Sequence, residues 1–369
     1  MTATTSRPAT AGFRLAAALA AGLTLAAAGA ARADDVAAKE LFAARPLPAA
    51  MKPQPIGFYS RGCLAGGIAI PVDGPDWQVM RLSRNRRWGH PDLIRLIEDL
   101  SVKAKADGWN GLMVGDISQP RGGPMLTGHA SHQIGLDVDL WFMPMPGRRL
   151  SYAEREETSA ISVLKAGSFF VDDARWTRAH ERLLYHAAAY PRVERILVHP
   201  GVKKKLCETV KGDRAWLGKI RPYYGHHYHF HLRITCPQDA ANCRPQDPVP
   251  AGEGCEQAVF DWWFKDALVP KKPAKPDTPT RPRHLRLADL PPPCAGVLEA
   301  EAVAPEAAEL ALKNASFSAP AIDMPTFDAA AIRASRPIEA SRSAAEADER
   351  AAAATPLADI PVPTPRPTD

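Results

Sequence analysis

Beyond residue 33 this 369-residue chain has no apolar run long enough to cross a bilayer, which argues against a membrane-spanning body. Its six cysteines include no C-x-x-C pair, so a structural zinc site built from paired thiolates is excluded. There is no H-E-x-x-H, no G-x-S-x-G nucleophile elbow and no G-x-G-x-x-G after a strand, which removes the signatures of zincins, serine hydrolases and dinucleotide binders. Nor is there a dense Lys/Arg patch. The formal net charge of +5 is partly carried by the two ends, and Lys203-Lys204-Lys205 reads as a solvated face, so nucleic acid is not an expected partner.

What is present begins with a processing segment. Arg7 and Arg14 accompany an apolar run from Leu15 to Ala30, and Ala31-Arg32-Ala33 offers a small-x-small cleavage site. Residues 1–33 therefore read as a secretory signal peptide, since the run is short and weakly hydrophobic for a spanning anchor. Export agrees with the cysteines at 63, 207, 236, 243, 255 and 294, an even number that permits three disulfides. Proximity favours only Cys236 with Cys243, across a polar turn.

Residues 34–266 hold the aromatic and aliphatic material for a single catalytic domain, and the composition changes sharply after them. The stretch 267–369 is rich in Pro, Ala, Glu and Asp and buries too little apolar surface to offset its ordering entropy, so it is expected to be a largely disordered tail. Cys294 is the residue placed to tie its first part back, and short helices fit 299–314 and 337–354. Within the domain, helices are predicted from Pro91 to about Asp107 and over 177–189, and strands at 111–115 and 195–199. Strands and helices mix without a regular βαβ repeat. The fold class is α+β, with a mainly antiparallel central sheet flanked by helices and long loops.

Two clusters carry the chemistry. In His226-His227-Tyr228-His229-Phe230-His231, period-two alternation puts His229 and His231 on one strand face and Tyr228, Phe230 and Leu232 on the other. In His129-Ala130-Ser131-His132-Gln133-Ile134-Gly135-Leu136-Asp137-Val138-Asp139, the apolar row Leu136, Val138, Leu140, Phe142 leaves Asp137, Asp139 and Trp141 opposite. Gly135 lets the chain turn, so that His132 and Asp139 meet at one ion. With His231 they make the two-nitrogen, one-carboxylate set that suits catalytic Zn2+. A metal there would lower the pKa of a bound water toward about 7 and polarise a carbonyl. His229 is the candidate general base, and His226 would orient water or stabilise an oxyanion. His129 is a further ligand, a second-metal ligand or a hydrogen-bonding wall residue. Asp137 either fixes a histidine tautomer or makes a salt bridge elsewhere. His227 is left with a structural role.

At these residues the chain resembles the penicillin-insensitive murein endopeptidases, within the wider group of lysostaphin-type and D-Ala-D-Ala metallopeptidases. The shared pattern is His132, Gly135 and Asp139, then His229-x-His231. Leu82–Pro91, Val114–Pro124 and Arg221–His226 also look like the endopeptidase branch, and the likeness covers roughly residues 45 to 265. The resemblance implies zinc on His132, Asp139 and His231, with His129 a further ligand, His229 as base and His226 at the active centre. It also implies a periplasmic enzyme that cleaves the D-alanyl to meso-diaminopimelyl cross-link of peptidoglycan stem peptides, and disulfides Cys63–Cys294, Cys207–Cys255 and Cys236–Cys243. In the wider group the position of Asp137 is usually small and apolar, so the resemblance assigns it no role. Two other readings stay open: a zinc carboxypeptidase trimming terminal D-alanine, and a non-catalytic periplasmic metal- or peptidoglycan-binding protein. Oligomeric state is not legible.

Overall fold

The computed structural model describes residues 36–270 and 284–304, with the first two of the chain. Nearly all of the expected signal peptide, most of the helix expected at 299–314 and all of that at 337–354 lie outside the described residues. A short helix α1 (Ala38–Ala43) precedes the hairpin β1 (Gln54–Phe58) and β2 (Arg61–Ala65). Then come β3 (Ile68–Ala69), β4 (Asp73–Gly74), β5 (Trp77–Val79), β6 (Trp88–Gly89), helix α2 (Pro91–Ala106), β7 (Leu112–Val114) and β8 (Asp137–Trp141). Helices α3 (Tyr152–Glu157) and α4 (Arg178–Ala189) lead to β9 (Val193–Val198), α5 (Pro200–Thr209), β10 (Ile220–Pro222), β11 (His229–Ile234), α6 (Gln257–Trp262) and α7 (Pro293–Glu299).

Seven strands form the central sheet in the order β10-β9-β11-β8-β7-β5-β4. The expected α+β class holds, but the sheet is mixed, because β5 with β7 and β9 with β10 run parallel. Each parallel pair is bridged by a helix, α2 in one case and α5 in the other, and parallel neighbours need such a crossover. The remaining pairings are antiparallel.

Helix α2 starts where sequence pattern and capping agree. Pro91 fills the first helical position, where no backbone donor is lost, and His90 Nδ1 accepts from the Asp92 N–H at 3.2 Å. Its apolar stripe, Leu93, Ile97 and Leu100, packs into one core with Leu183 and Leu184 of α4 and with Val138, Leu140, Phe230 and Leu232 of the sheet. Each such side chain contributes about 1.5–3 kcal/mol by leaving water. This row of β8 and β11 faces the helices. The alternate row carries Asp137, Asp139, His229, His231 and Arg233, and it too is buried, so the chemical face lies under loops rather than on an open sheet surface.

A smaller cluster joins α1, the first hairpin and α7 through Phe42, Ile56, Cys63, Cys294 and Val297. The Cys63–Cys294 disulfide spans it, and Arg121 Nη1 donates to the carbonyls of Val297, Leu298 and Ala300 at 2.7, 2.9 and 2.7 Å. Of the residues after the composition change at 267, the described stretch 284–303 thus packs onto the domain. The other two disulfides are Cys207–Cys255 and Cys236–Cys243. Among the described residues no helix is long and apolar enough to cross a membrane. The lysine run departs from expectation. Lys203 is fully buried, its ammonium donating to Leu217 O at 2.7 Å and Glu253 O at 2.5 Å, and burial pulls its pKa down to about 7.

Candidate metal centre

Strand register brings the two sequence clusters together. In the β11–β8 pair, His231 stands opposite Asp139, His229 opposite Trp141 and Arg233 opposite Asp137. His132 reaches the same place from the loop before β8. Its φ of 64° and that of Gly135, 70°, turn the chain sharply, and a Cβ at Gly135 would sit 2.7 Å from Leu64 Cδ2 and 3.1 Å from the His90 nitrogen. His226 also has a left-handed φ, 56°, so two histidines of the site are held in sparsely populated backbone conformations.

Three imidazoles converge on one carboxylate. His132 Nε2 and His231 Nδ1 are 3.0 Å apart, and Asp139 Oδ1 lies 3.4 Å from the first and 3.2 Å from the second. His129 Nδ1 is 3.5 Å from Asp139 Oδ2, and donor atoms of His129, His132 and Asp139 all lie within 4.8 Å of one another. His229 Nε2 stands slightly further off, 3.7 Å from Asp139 Oδ1.

The outward ring nitrogens are each engaged by an acceptor. Asp116 Oδ2 holds His129 Nε2 at 3.0 Å, the Ile117 carbonyl holds His132 Nδ1 at 2.7 Å, and Asp137 Oδ1 holds His231 Nε2 at 2.9 Å. Carboxylates and carbonyls only accept, so these nitrogens carry the protons and, in the neutral rings, the inward nitrogens present lone pairs. Lone pairs then face each other and Asp139. Consistent with this, Asp139 Oδ1 is buried with no hydrogen-bond partner among the described residues, although three imidazole nitrogens surround it. A buried carboxylate oxygen without a donor is costly, and a cation among these atoms removes both the orphaned oxygen and the lone-pair repulsion. The donor set, imidazole nitrogens with one carboxylate oxygen and acceptors behind the histidines, fits zinc.

Electrostatics point the same way. Burial opposes charge on Asp139, yet His132, His229 and His129 hold its pKa well below the usual carboxylate range. Burial would lower His132, but Asp139, Asp137 and Asp116 override it and raise its pKa. His229 goes down to about 4 through burial, which Asp139 only partly offsets. Burial, with His229 and His231 adding to it, takes His226 well below its ordinary value. Both rings are neutral at neutral pH. The His226 and His229 rings are 4.9 Å apart, and His226 Nδ1 donates to the Tyr224 carbonyl at 2.6 Å.

Asp137 is less a ligand than an anchor: its carboxylate accepts from His231, from Arg233 Nε at 2.6 Å and from the His132 backbone N–H at 3.2 Å. His227 points elsewhere, its Nδ1 lying 2.9 Å from Ser162 Oγ. Two participants were not singled out from sequence. Asp116, just after β7, accepts from Arg84 and Arg86 as well as His129. Tyr223 lines the cavity with Leu197, Ser131, His129, His226 and His231, and burial pushes its phenol up to about 12. A carboxylate directly following a buried strand was the one available signal for Asp116; Tyr223 had none apart from its place beside the histidine run.

The sequence profile described as penicillin-insensitive murein endopeptidase matches residues 55–299. A penicillin-insensitive murein endopeptidase of Haemophilus influenzae is 44% identical over 235 residues, 63% of this chain and 79% of the relative. One from Yersinia enterocolitica is 39% identical over 252 residues, 68% of this chain and 88% of the relative. A third, from Salmonella heidelberg, is 37% identical over 254 residues, covering 69% and 88%.

Proposed function

The chain belongs to the penicillin-insensitive murein endopeptidases, and from that membership we propose that it is a periplasmic zinc endopeptidase hydrolysing the D-alanyl to meso-diaminopimelyl cross-link between peptidoglycan stem peptides. The observation that carries the metal part is Asp139 Oδ1, buried without a donor among inward-facing imidazole nitrogens. His132, Asp139 and His231 would hold the ion, with His129 as a further ligand. Zinc would supply a Lewis acid that acidifies water and polarises the scissile carbonyl.

The remaining steps belong to the chain. His229, neutral because burial holds its pKa near 4, accepts the proton of the attacking water and passes it to the leaving amine. His226 donates through Nδ1 to Tyr224 O, so when neutral it offers Nε2 as an acceptor, which suits orienting that water better than stabilising an oxyanion. Asp137, Asp116 and the Ile117 carbonyl keep the three rings turned inward.

The test is digestion of purified sacculi, with muropeptides separated afterwards. Wild-type protein should convert cross-linked dimers to monomers, while His132→Ala and chelator-treated protein leave them intact. Undiminished dimers with the wild type overturn the endopeptidase reading, and D-alanine released from uncrosslinked pentapeptides without loss of dimers identifies a carboxypeptidase. Full activity after chelation removes the metal from the mechanism.

A further inference from the structure

Arg221 is a half-buried cation that neither the described fold nor the proposed chemistry uses. In β10 it stands opposite Leu197 of β9, which stands opposite His231 of β11, which stands opposite Asp139 of β8. Directly paired residues share a sheet face, so Arg221 lies in the row that carries the candidate metal centre, about 10 Å from His231 at two strand spacings. Leu197, between them, lines the cavity with His226 and His231.

The neighbouring arginines on this face are engaged: Arg233 holds Asp137 and Gln246, and Arg195 holds Glu194 and Asp247 O. Among the described residues, the Arg221 guanidinium has no hydrogen bond and no ion pair. Burial lowers its pKa, with Arg195 adding to the effect and Glu256 opposing it. Its five donors form a rigid fork that is half withdrawn from water and has no acceptor among the described residues, so it is available to a ligand's carboxylate. A glycine packs close against it. A Cβ at Gly254 would lie 3.2 Å from Arg221 Nη1 and 3.6 Å from Lys203 Nζ, and the Cys207–Cys255 disulfide pins the adjacent residue. Lys203 does not compete for such an acceptor, because its protons go to Leu217 O and Glu253 O.

We propose that Arg221 forms an anion subsite that takes a free carboxylate of the stem peptide, within about three extended residues of the cleaved bond at roughly 3.3 Å each. This rests on the endopeptidase reading for its ligand. The stem peptides carry free carboxylates on their glutamyl and diaminopimelyl residues, and a guanidinium fork matches a carboxylate in a bidentate fashion.

Calorimetry with an uncrosslinked stem tetrapeptide, its carboxylates free or amidated, tests this on wild type, Arg221→Gln and Arg221→Lys, alongside cleavage kinetics on cross-linked dimers. Wild type should bind the free form roughly tenfold to a hundredfold more tightly than the amidated one, as a charge-assisted pair implies. Arg221→Gln should bind both forms alike, with KM raised by a similar factor, kcat nearly unchanged and the melting temperature retained. Arg221→Lys, with charge but no fork, should fall between. Equal wild-type affinity for both forms, an undiminished preference in Arg221→Gln, or equal losses on both forms overturns the subsite. If the preference follows Arg221 while the wild type cleaves no cross-link, the endopeptidase reading falls and the subsite stands. Cleavage without any preference sinks the subsite alone.

Discussion

Asp116 Oδ2 lies 3.0 Å from His129 Nε2, while His129 Nδ1 lies 3.5 Å from Asp139 Oδ2. One imidazole therefore joins two buried carboxylates, and because Asp116 can only accept, it decides which nitrogen of His129 faces the centre. Arg84 Nη1 at 3.0 Å and Arg86 Nη1 at 2.9 Å share that same oxygen and hold Asp116 ionised. Asp116 is in this sense a positioning residue, one step removed from the donor atoms.

Replacing Asp116 with Asn removes the charge that orients His129 while keeping the side chain's size. Zinc affinity, measured by competition with a chelating dye, should fall about 10–100-fold, the range found when the partner behind a ligating histidine is lost. An unchanged affinity would remove Asp116 from this role.

His229→Ala should reduce kcat by about 10²–10⁴, the usual contribution of a general base, with KM and bound zinc little changed. Steady-state cleavage of cross-linked dimers, combined with metal analysis of the purified variant, separates the possibilities. Loss of zinc along with activity would make His229 a ligand instead.

His180 supplies a pH dependence of stability independent of the metal centre. It is buried against Trp109, Trp176 and Phe142, its Nε2 lies 3.2 Å from Phe142 O, and burial brings its pKa down to about 4 from 6.5. Between those values the unfolded chain binds the proton and the folded one does not, so stability must fall as pH drops from about 6.5 to about 4, by about 3 kcal/mol for this group. Denaturant midpoints across that window should slope less steeply in His180→Gln. Parallel slopes for the two proteins would refute the assignment.

The Cys63–Cys294 bond closes a loop with a sequence separation of 231 residues, and both cysteines are fully buried. Changing both to Ser should cost about 2–5 kcal/mol and loosen α7 first, read as faster amide exchange over Pro293–Glu299. Uniform exchange across the domain would show instead that α7 and the main core unfold as one unit.

Much of the site could be read from local pattern. Alternation in His229-Phe230-His231 and in Asp137-Val138-Asp139 assigned donors to one face and apolar residues to the other, and β11 paired with β8 follows that division. The helix expected at 177–189 is found at Arg178–Ala189, and that expected from Pro91 ends at Ala106. The sheet was less legible. Parallel pairing of β9 with β10 depends on how α5 crosses the sheet, and no residue within either strand records it. Lys203 departs from the solvated face expected of it for a related reason: three consecutive lysines look alike in sequence, but one side of α5 faces inward and only its first lysine meets two carbonyl acceptors there.

The sequence by itself determined the chemical inventory, the strand faces and the family pattern, because side-chain direction repeats every two residues and needs no distant partner. Tertiary structure alone decided that Asp116 stands behind His129, that Asp137 serves both His231 and Arg233, and that among the described residues Asp139 Oδ1 lacks a donor and Arg221, in the same row, lacks an acceptor. These are matters of register and burial between segments far apart in the chain, where one strand's placement determines which polar atoms are satisfied and which are left for a ligand.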